Sequence, residues 1–318
     1  MRMHILWMLV LLFAAACGGG TPQPTPRPTL TLTPLSTPLP YLETPVPPGS
    51  SANPIRWLLV TGRSGISQNR IAALANAAQQ ASGLRVTASL EASPREALRA
   101  VCGSATGPVT MALADPLTYA VARARGCADA ALVVLRAGGA GITTAIVGKE
   151  ERSLAAGSST LPYCRRSAED FTTGVVPLLM LRGQGLQSDI MGLPQDQPDD
   201  EASLQAVQDG VCRLAMVDAA LYERLAEENS PVVRDLRVVQ RSAPMPVALL
   251  IIPVQFPLPN REQLIAGLTA QDADSQANAA LMQPLYGDVT LLNAADYDLT
   301  ALHRFFDQGR LDLMLLGP

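Results

Sequence analysis

From residue 55 onward, short apolar runs of strand length alternate with stretches whose apolar residues recur at helical spacing. No other feature of the chain constrains its fold as strongly. A strand over 55–61 breaks at Gly62-Arg63-Ser64-Gly65, and Ile66, Ile71, Leu74 and Ala78 then mark one face of a helix ending near Gly83. A second strand over 84–90 precedes Ser93-Pro94, an N-cap followed by the one residue whose missing N–H costs nothing at the first helical position. Further strands are expected over 109–114, 130–135 and 143–147, with a helix opening at Asp115-Pro116 between the first two. Strands alternating with helices predict an α/β fold with mostly parallel sheets flanked by helices.

The second half continues the pattern less clearly. A helix is expected after Thr172-Thr173-Gly174, a possible strand over 178–181, a helix over 202–208, and a strand over 214–217 followed by Asp218 and a helix containing Tyr222. Strands over 236–240 and 247–252 lead back, and 261–268, 275–285 and 298–306 read as helices. The expected architecture is two lobes, one of residues 54–142 plus 241–318 and the other of residues 143–240.

Residues 21–53 are not expected to form a core, and the segment before them reads as a leader. Met1-Arg2-Met3-His4, an apolar run from Ile5 to Phe13 and three alanines before Cys17 read as a signal peptide over 1–16. The run falls short of the roughly 20 apolar residues that a membrane span needs. A cysteine directly after the expected cut resembles the lipobox of bacterial lipoproteins, although Ala14 stands where leucine is usual. Lipidated Cys17 would anchor the chain to the outer face of the cell membrane. Residues 21–53 are dominated by Pro, Thr and Ser and carry only Arg27 and Glu43 as charges. A stalk near polyproline II is the expected form, at about 3.1 Å per residue.

The whole chain is 48% hydrophobic and 16% charged with a net charge of −4, which suits a large core and excludes the basic footprint of a nucleic-acid binder. Apart from Cys17, four cysteines remain, an even number that suits an oxidising compartment. Three pairings are possible. Cys102 with Cys127 and Cys164 with Cys212 keep each bridge inside one expected lobe. Zinc is not expected, since no CxxC occurs and the only histidines are His4 and His303. No cofactor is implied.

In open α/β sheets, ligands sit beyond the carboxyl ends of strands, where helix N-termini present free N–H groups. Residues with hydroxyl, acidic or basic groups at such places are Arg63 and Ser64, Ser93, Asp115 with Thr118 and Tyr119, Thr172 and Thr173, and Asp218. Hydroxyls and N–H groups suit an oxyanion or a zwitterion, whereas an ionised Asp115 or Asp218 accepts from an ammonium or hydroxyl. Each residue also has a structural reading, as a helix cap for Ser93, Asp115 and the threonines, as core for Tyr119, and as a solvated charge for Arg63.

Four stretches together resemble the phosphonate-binding-like substrate-binding proteins of ABC transporters, which have the type 2 periplasmic binding protein fold. They are VTMALADPLTYAVA over 109–122, Gly126-Cys127 before the strand over 130–135, CRRSAEDFTTGVVP over 164–177, and AVQDGVCRLAMVDAALY over 206–222. The resemblance covers most of 55–318. It implies that Tyr119, Thr172 and Thr173 line the cleft and contact an anionic head group, and it supports the two cysteine pairings. Departures are Phe171 where the family often has serine, Gly141-Ile142 where an aromatic residue often precedes the hinge strand, and no histidine near 199–204.

The expected function is that of a monomeric, lipid-anchored solute-binding protein that closes two lobes on a small polar ligand of phosphate or phosphonate type and delivers it to a membrane ABC permease. A ligand-sensing or adaptor lipoprotein with the same fold is the alternative. An enzyme is not expected: His303 would be the only histidine of the mature chain, on an apolar C-terminal helix, and this leaves no Ser-His-Asp site.

Overall fold

Eleven strands among the described residues build two sheets. The structure, a computed structural model, describes residues 46–60, 66–91, 93–105, 108–136, 139, 141–149, 161–184, 191–269, 288–309 and 312–313. The expected helix over 275–285, the 61–65 turn and Cys17 lie outside them. In chain order the first part runs β1 (Ile55–Val60), α1 (Gln68–Ser82), β2 (Val86–Glu91), α2 (Pro94–Cys102), β3 (Thr110–Ala114), α3 (Pro116–Ala124) and β4 (Ala128–Arg136). The middle part runs β5 (Thr144–Gly148), β6 (Leu161–Arg165), a π-helical turn (Phe171–Val175) that leads straight into α4 (Val176–Gly183), β7 (Met191–Asp196), α5 (Asp200–Gln208), β8 (Leu214–Asp218), α6 (Ala219–Glu227) and β9 (Arg237–Arg241). The chain then returns through β10 (Ala248–Pro253), α7 (Leu258–Thr269), β11 (Val289–Asn293) and α8 (Thr300–Gln308).

The first sheet has the order β11-β4-β10-β3-β1-β2 and the second β7-β6-β8-β5-β9. Parallel pairing holds for β2-β1-β3 and for β7-β6-β8, where helices make the crossovers that parallel strands need. The remaining pairs are antiparallel, so each sheet is mixed rather than mostly parallel. β5 and β10 are each entered by a short passage from the other sheet, with no helix in between.

Those passages meet. Ile142 and Met245 exchange backbone hydrogen bonds of 2.7 and 2.9 Å. Gly141 is required there, because a Cβ at this position would run into the Met245 backbone.

Period-two alternation places the cores. Ile55, Trp57 and Leu59 of β1 face α1 and α7, and Leu58 and Val60 face the opposite way. In the second sheet Ala145 and Val147 of β5 face a core with Leu204, Val207 and Leu225 of α5 and α6. Ile146 faces the same core as Leu58. The inner faces of the two sheets thus share apolar packing, to which α4 and α8 contribute Leu179, Met180, Leu302 and Phe306.

Residues 178–181 are helical, not a strand, because the turn at 171–175 propagates into α4, whose Pro177 sits in the first turn where no N–H is needed. Strands β6, β7 and β11 were not expected from the sequence; β7 carries Gly192 and Pro194, which dilute its strand signal. Both expected disulfides are formed, Cys102–Cys127 tying α2 to the start of β4, and Cys164–Cys212 tying β6 to the segment before β8.

Candidate functional site

A cavity of about 560 Å³ opens between the N-termini of α2 and α3 on one wall and residues 168–175 on the other. Ser93, Arg95, Asp115 and Thr118 supply polar groups from the first wall, and Glu169 from the second. Leu98, Leu117, Val121, Phe171 and Val175 make most of the remaining lining apolar.

Local sequence explains the first wall. Ser93 accepts from the Glu96 amide at 3.3 Å and so caps α2. Asp115 caps α3 more fully: its Oδ1 accepts from the amides of Leu117 and Thr118 at 2.9 and 3.0 Å, and its Oδ2 from the Thr118 hydroxyl at 2.8 Å. Burial pushes the Asp115 carboxyl above its usual range, and these hydrogen bonds oppose the rise. No ion pair neutralises it among the described residues.

The second wall is held by a web of charge. Asp170 caps the turn, accepting on one oxygen from the Thr173 amide at 2.7 Å and hydroxyl at 2.9 Å. Arg166 lies 3.6 Å from Asp170 and 3.0 Å from the buried Asp200. Asp200 also accepts from the Asp218 amide at 2.9 Å. Asp218, which caps α6, pairs with Arg136 at the end of β4, so the web reaches across to the first sheet. Burial raises the Asp200 carboxyl, and Arg166 works against that rise. Burial also works against the Arg166 charge, but Asp170 and Asp200 outweigh it and raise its pKa. Gly174 is obligatory beneath this turn, since a Cβ would strike the carbonyls of Ser167 and Ala168.

Of the residues singled out in the sequence, the structure brings Ser93, Asp115 and Thr118 to one cavity. It places four others away from that lining. Tyr119 is buried against α8, its hydroxyl 3.0 Å from His303 Nε2, with Arg123 beside the same ring. Thr172 accepts on its carbonyl from the Thr144 hydroxyl at 2.7 Å, and Thr173 is fully buried on Asp170. Asp218 is engaged by Arg136. Arg63 and Ser64 fall outside the described residues. Sequence reasoning did not single out Arg95, Glu169 or the apolar lining. The departure at Phe171 was the one signal available, since an aromatic residue in place of serine makes that wall apolar. Among the described residues, no group of three His, Cys, Asp or Glu side chains could hold a metal ion.

The fold agrees with comparisons to known proteins. The model of the family described as "ABC transporter, phosphonate, periplasmic substrate-binding protein" matches residues 63–299, well over half of the chain. No curated protein matches significantly. Among solved structures, XAC2383 from Xanthomonas citri, determined bound to ATP, is similar with a TM-score of 0.60 at 13% identity, covering 80% of this chain and 95% of that one. A binding-protein component of an ABC phosphonate transporter from Pseudomonas aeruginosa gives 0.54 at 14% identity, covering 81% and 87%. PhnD1 from Prochlorococcus marinus, in complex with methylphosphonate, gives 0.52 at 10% identity, covering 80% and 97%. At such identities the structural likenesses establish the fold alone. The family match over 63–299 goes further: this chain belongs to the periplasmic substrate-binding proteins of phosphonate ABC transporters, a family of ligand-binding transport proteins and not of enzymes.

Proposed function

We propose that the protein is a lipid-anchored receptor that captures a small polar ligand between its two sheets and hands it to an ABC permease. The observation that carries this reading is the cavity itself, whose polar groups come from two helix N-termini of the first sheet and face Glu169 and Phe171 of the second. The lobes on this reading are residues 54–142 with 241–318, and residues 143–240. They rotate about the Gly141–Ile142 and Ala243–Met245 passages, and the ligand favours the closed state by touching both walls. Signal peptide 1–16, lipidated Cys17 and a Pro/Thr stalk would hold a monomeric receptor near the membrane, the stalk ending short of residue 53 because the carbonyls of Pro48 and Gly49 accept from Asn260 and the Arg85 amide at 2.7 Å, and several acyl chains anchor stably at about 0.8 kcal/mol per buried CH2.

Family membership supports a phosphonate-like head group, for which Arg95 and Ser93 at the start of α2 are the available contacts. Titrating the mature chain with a panel of phosphate, phosphite, phosphonates, amines and amino acids tests the receptor reading. At least one compound should raise the melting temperature in a saturable manner. A flat response across the panel would contradict it.

A further inference from the structure

We infer that the pole of the first sheet opposite the cleft is a membrane-resting surface, which lies on a layer of anionic lipid headgroups and keeps the cleft turned away from it. The inference rests on the receptor reading and adds a lipid-facing surface remote from the ligand.

The place where the stalk arrives carries the first step. The cleft lies beyond the carboxyl ends of β2 and β3, where Ser93 and Asp115 follow the strands. Residues 46–54 lie at the other end of the same sheet. The Gly49 carbonyl accepts from the Arg85 amide just before β2, and the Ile55 amide that opens β1 donates to the Arg85 carbonyl. An anchor at Cys17 therefore reaches the folded body at the pole remote from the cleft.

The surface at that pole is the second step. β10 runs antiparallel to β3 and ends beside the start of β4, so the loop after it comes down at the same pole. Asn260 joins this loop to the end of the stalk by donating to the Pro48 carbonyl at 2.7 Å. The two segments, VPPGSSANP over 46–54 and VQFPLPN over 254–260, hold no charged residue. Phe256 is buried, whereas Pro47, Pro257 and Pro259 are exposed. Five large apolar side chains are exposed among the described residues, and three of them, Val46, Val254 and Leu258, are here. Apolar residues gathered in this way mark a contact surface.

Two arguments name the occupant. Arg56, near the start of β1, and Arg85 border these loops, both exposed and neither in an ion pair among the described residues. With Arg261 they outnumber Asp129 and Glu262, the acids beside the same loops. A basic rim around apolar side chains suits an anionic interface, where charge attraction and apolar burial add. The stalk also ends in this surface, so an anchored molecule holds it near the bilayer at a local concentration on the order of millimolar, enough to populate a weak contact. A molecule resting on this pole keeps its cleft open to solvent for capture and must lift off to deliver.

Hydrogen–deuterium exchange tests this on the mature chain joined to a maleimide lipid in vesicles through Cys17, the one cysteine outside the two bridges. On vesicles of phosphatidylglycerol and phosphatidylethanolamine, the peptide spanning 254–260 should exchange more slowly than in the uncoupled chain, by roughly threefold or more. Residues 226–230, at the end of α6, should be unchanged. Vesicles of phosphatidylcholine should give a weaker slowing. Val254→Asp combined with Leu258→Asp alters only exposed side chains and should abolish the slowing with the melting temperature kept. Arg85→Glu is the independent variant, since that side chain is bonded only to Gln79, and should reduce the slowing on the anionic vesicles by about half.

An exchange rate unchanged by anionic vesicles overturns the inference, as does slowing that survives the double variant or is equal on phosphatidylcholine. Protection that grows with protein concentration in the absence of vesicles would give the surface to a second copy and overturn it as well. In each case the ligand panel decides the receptor reading by itself: a saturable rise in melting temperature leaves that reading standing, and a silent panel removes it.

Discussion

The two walls of the cleft use the same device, an aspartate capping a helix or turn at the mouth of a sheet, to different ends. On the second wall Asp170 pairs with Arg166 and Asp218 with Arg136, and Asp200 links the two by pairing with Arg166 and accepting from the Asp218 amide, so their charges are spent inside the protein. On the first wall Asp115 makes the same kind of cap and lines the cavity without an ion pair among the described residues. Residue type and topological position are alike. What distinguishes the two walls is whether an arginine reaches the capping aspartate.

Removing supports from the two walls in turn should expose this asymmetry. The largest loss is expected from replacing Cys164 and Cys212 with serine. Their bridge spans 48 residues of the second wall, worth about 4 kcal/mol by loop entropy. The corresponding change at Cys102 and Cys127, spanning 25 residues, should cost slightly less, about 3.5 kcal/mol. Denaturant unfolding of the two double variants checks the order. Next, Arg166→Ala leaves Asp200, which is 6% exposed, without its cation, and about 3 kcal/mol of stability should go with it. A loss under half that size would mean the web is not what holds the second wall.

A smaller effect is expected at the link between the walls. Arg136 and Asp218 are partly exposed, so Arg136→Ala should cost about 1 kcal/mol or less in chemical denaturation. The smallest change belongs to the first wall. Because burial raises the folded-state pKa of Asp115, ionisation of this group opposes folding above its unfolded pKa, and the penalty disappears at lower pH where both states are protonated. Asp115→Asn should therefore be at least as stable as the parent at pH 7. Its advantage should shrink as pH falls through the usual carboxylate range, as read from melting temperatures at each pH.

Local physics made much of this legible in the sequence. Ser93-Pro94 and Asp115-Pro116 announce their helices because a cap bonds to amides two or three residues away. Strands β1, β3, β4 and β10 are apolar on both faces and stand out for that reason. The rest depends on distant partners. Asp218 looked available for a ligand, and the arginine that occupies it lies 82 residues earlier. Tyr119 reads as core from its own residues and as a cleft residue from the family resemblance, and His303, 184 residues later, stands against its hydroxyl. The cavity joins residues 93–121 to 168–175, a pairing that no local pattern encodes. Strand β7 escaped because Pro194 interrupts its apolar pattern on an edge of the sheet, where proline is tolerated.

The central claim is that the two walls close on a solute. Spin labels on introduced cysteines at the exposed Asn69 of α1 and Glu227 of α6 report the separation of the walls by electron–electron distance measurement. A ligand that stabilises the protein should shift the distance distribution to one shorter, narrower peak, and Arg136→Ala should broaden it again. An unchanged distribution at saturating ligand would contradict the account.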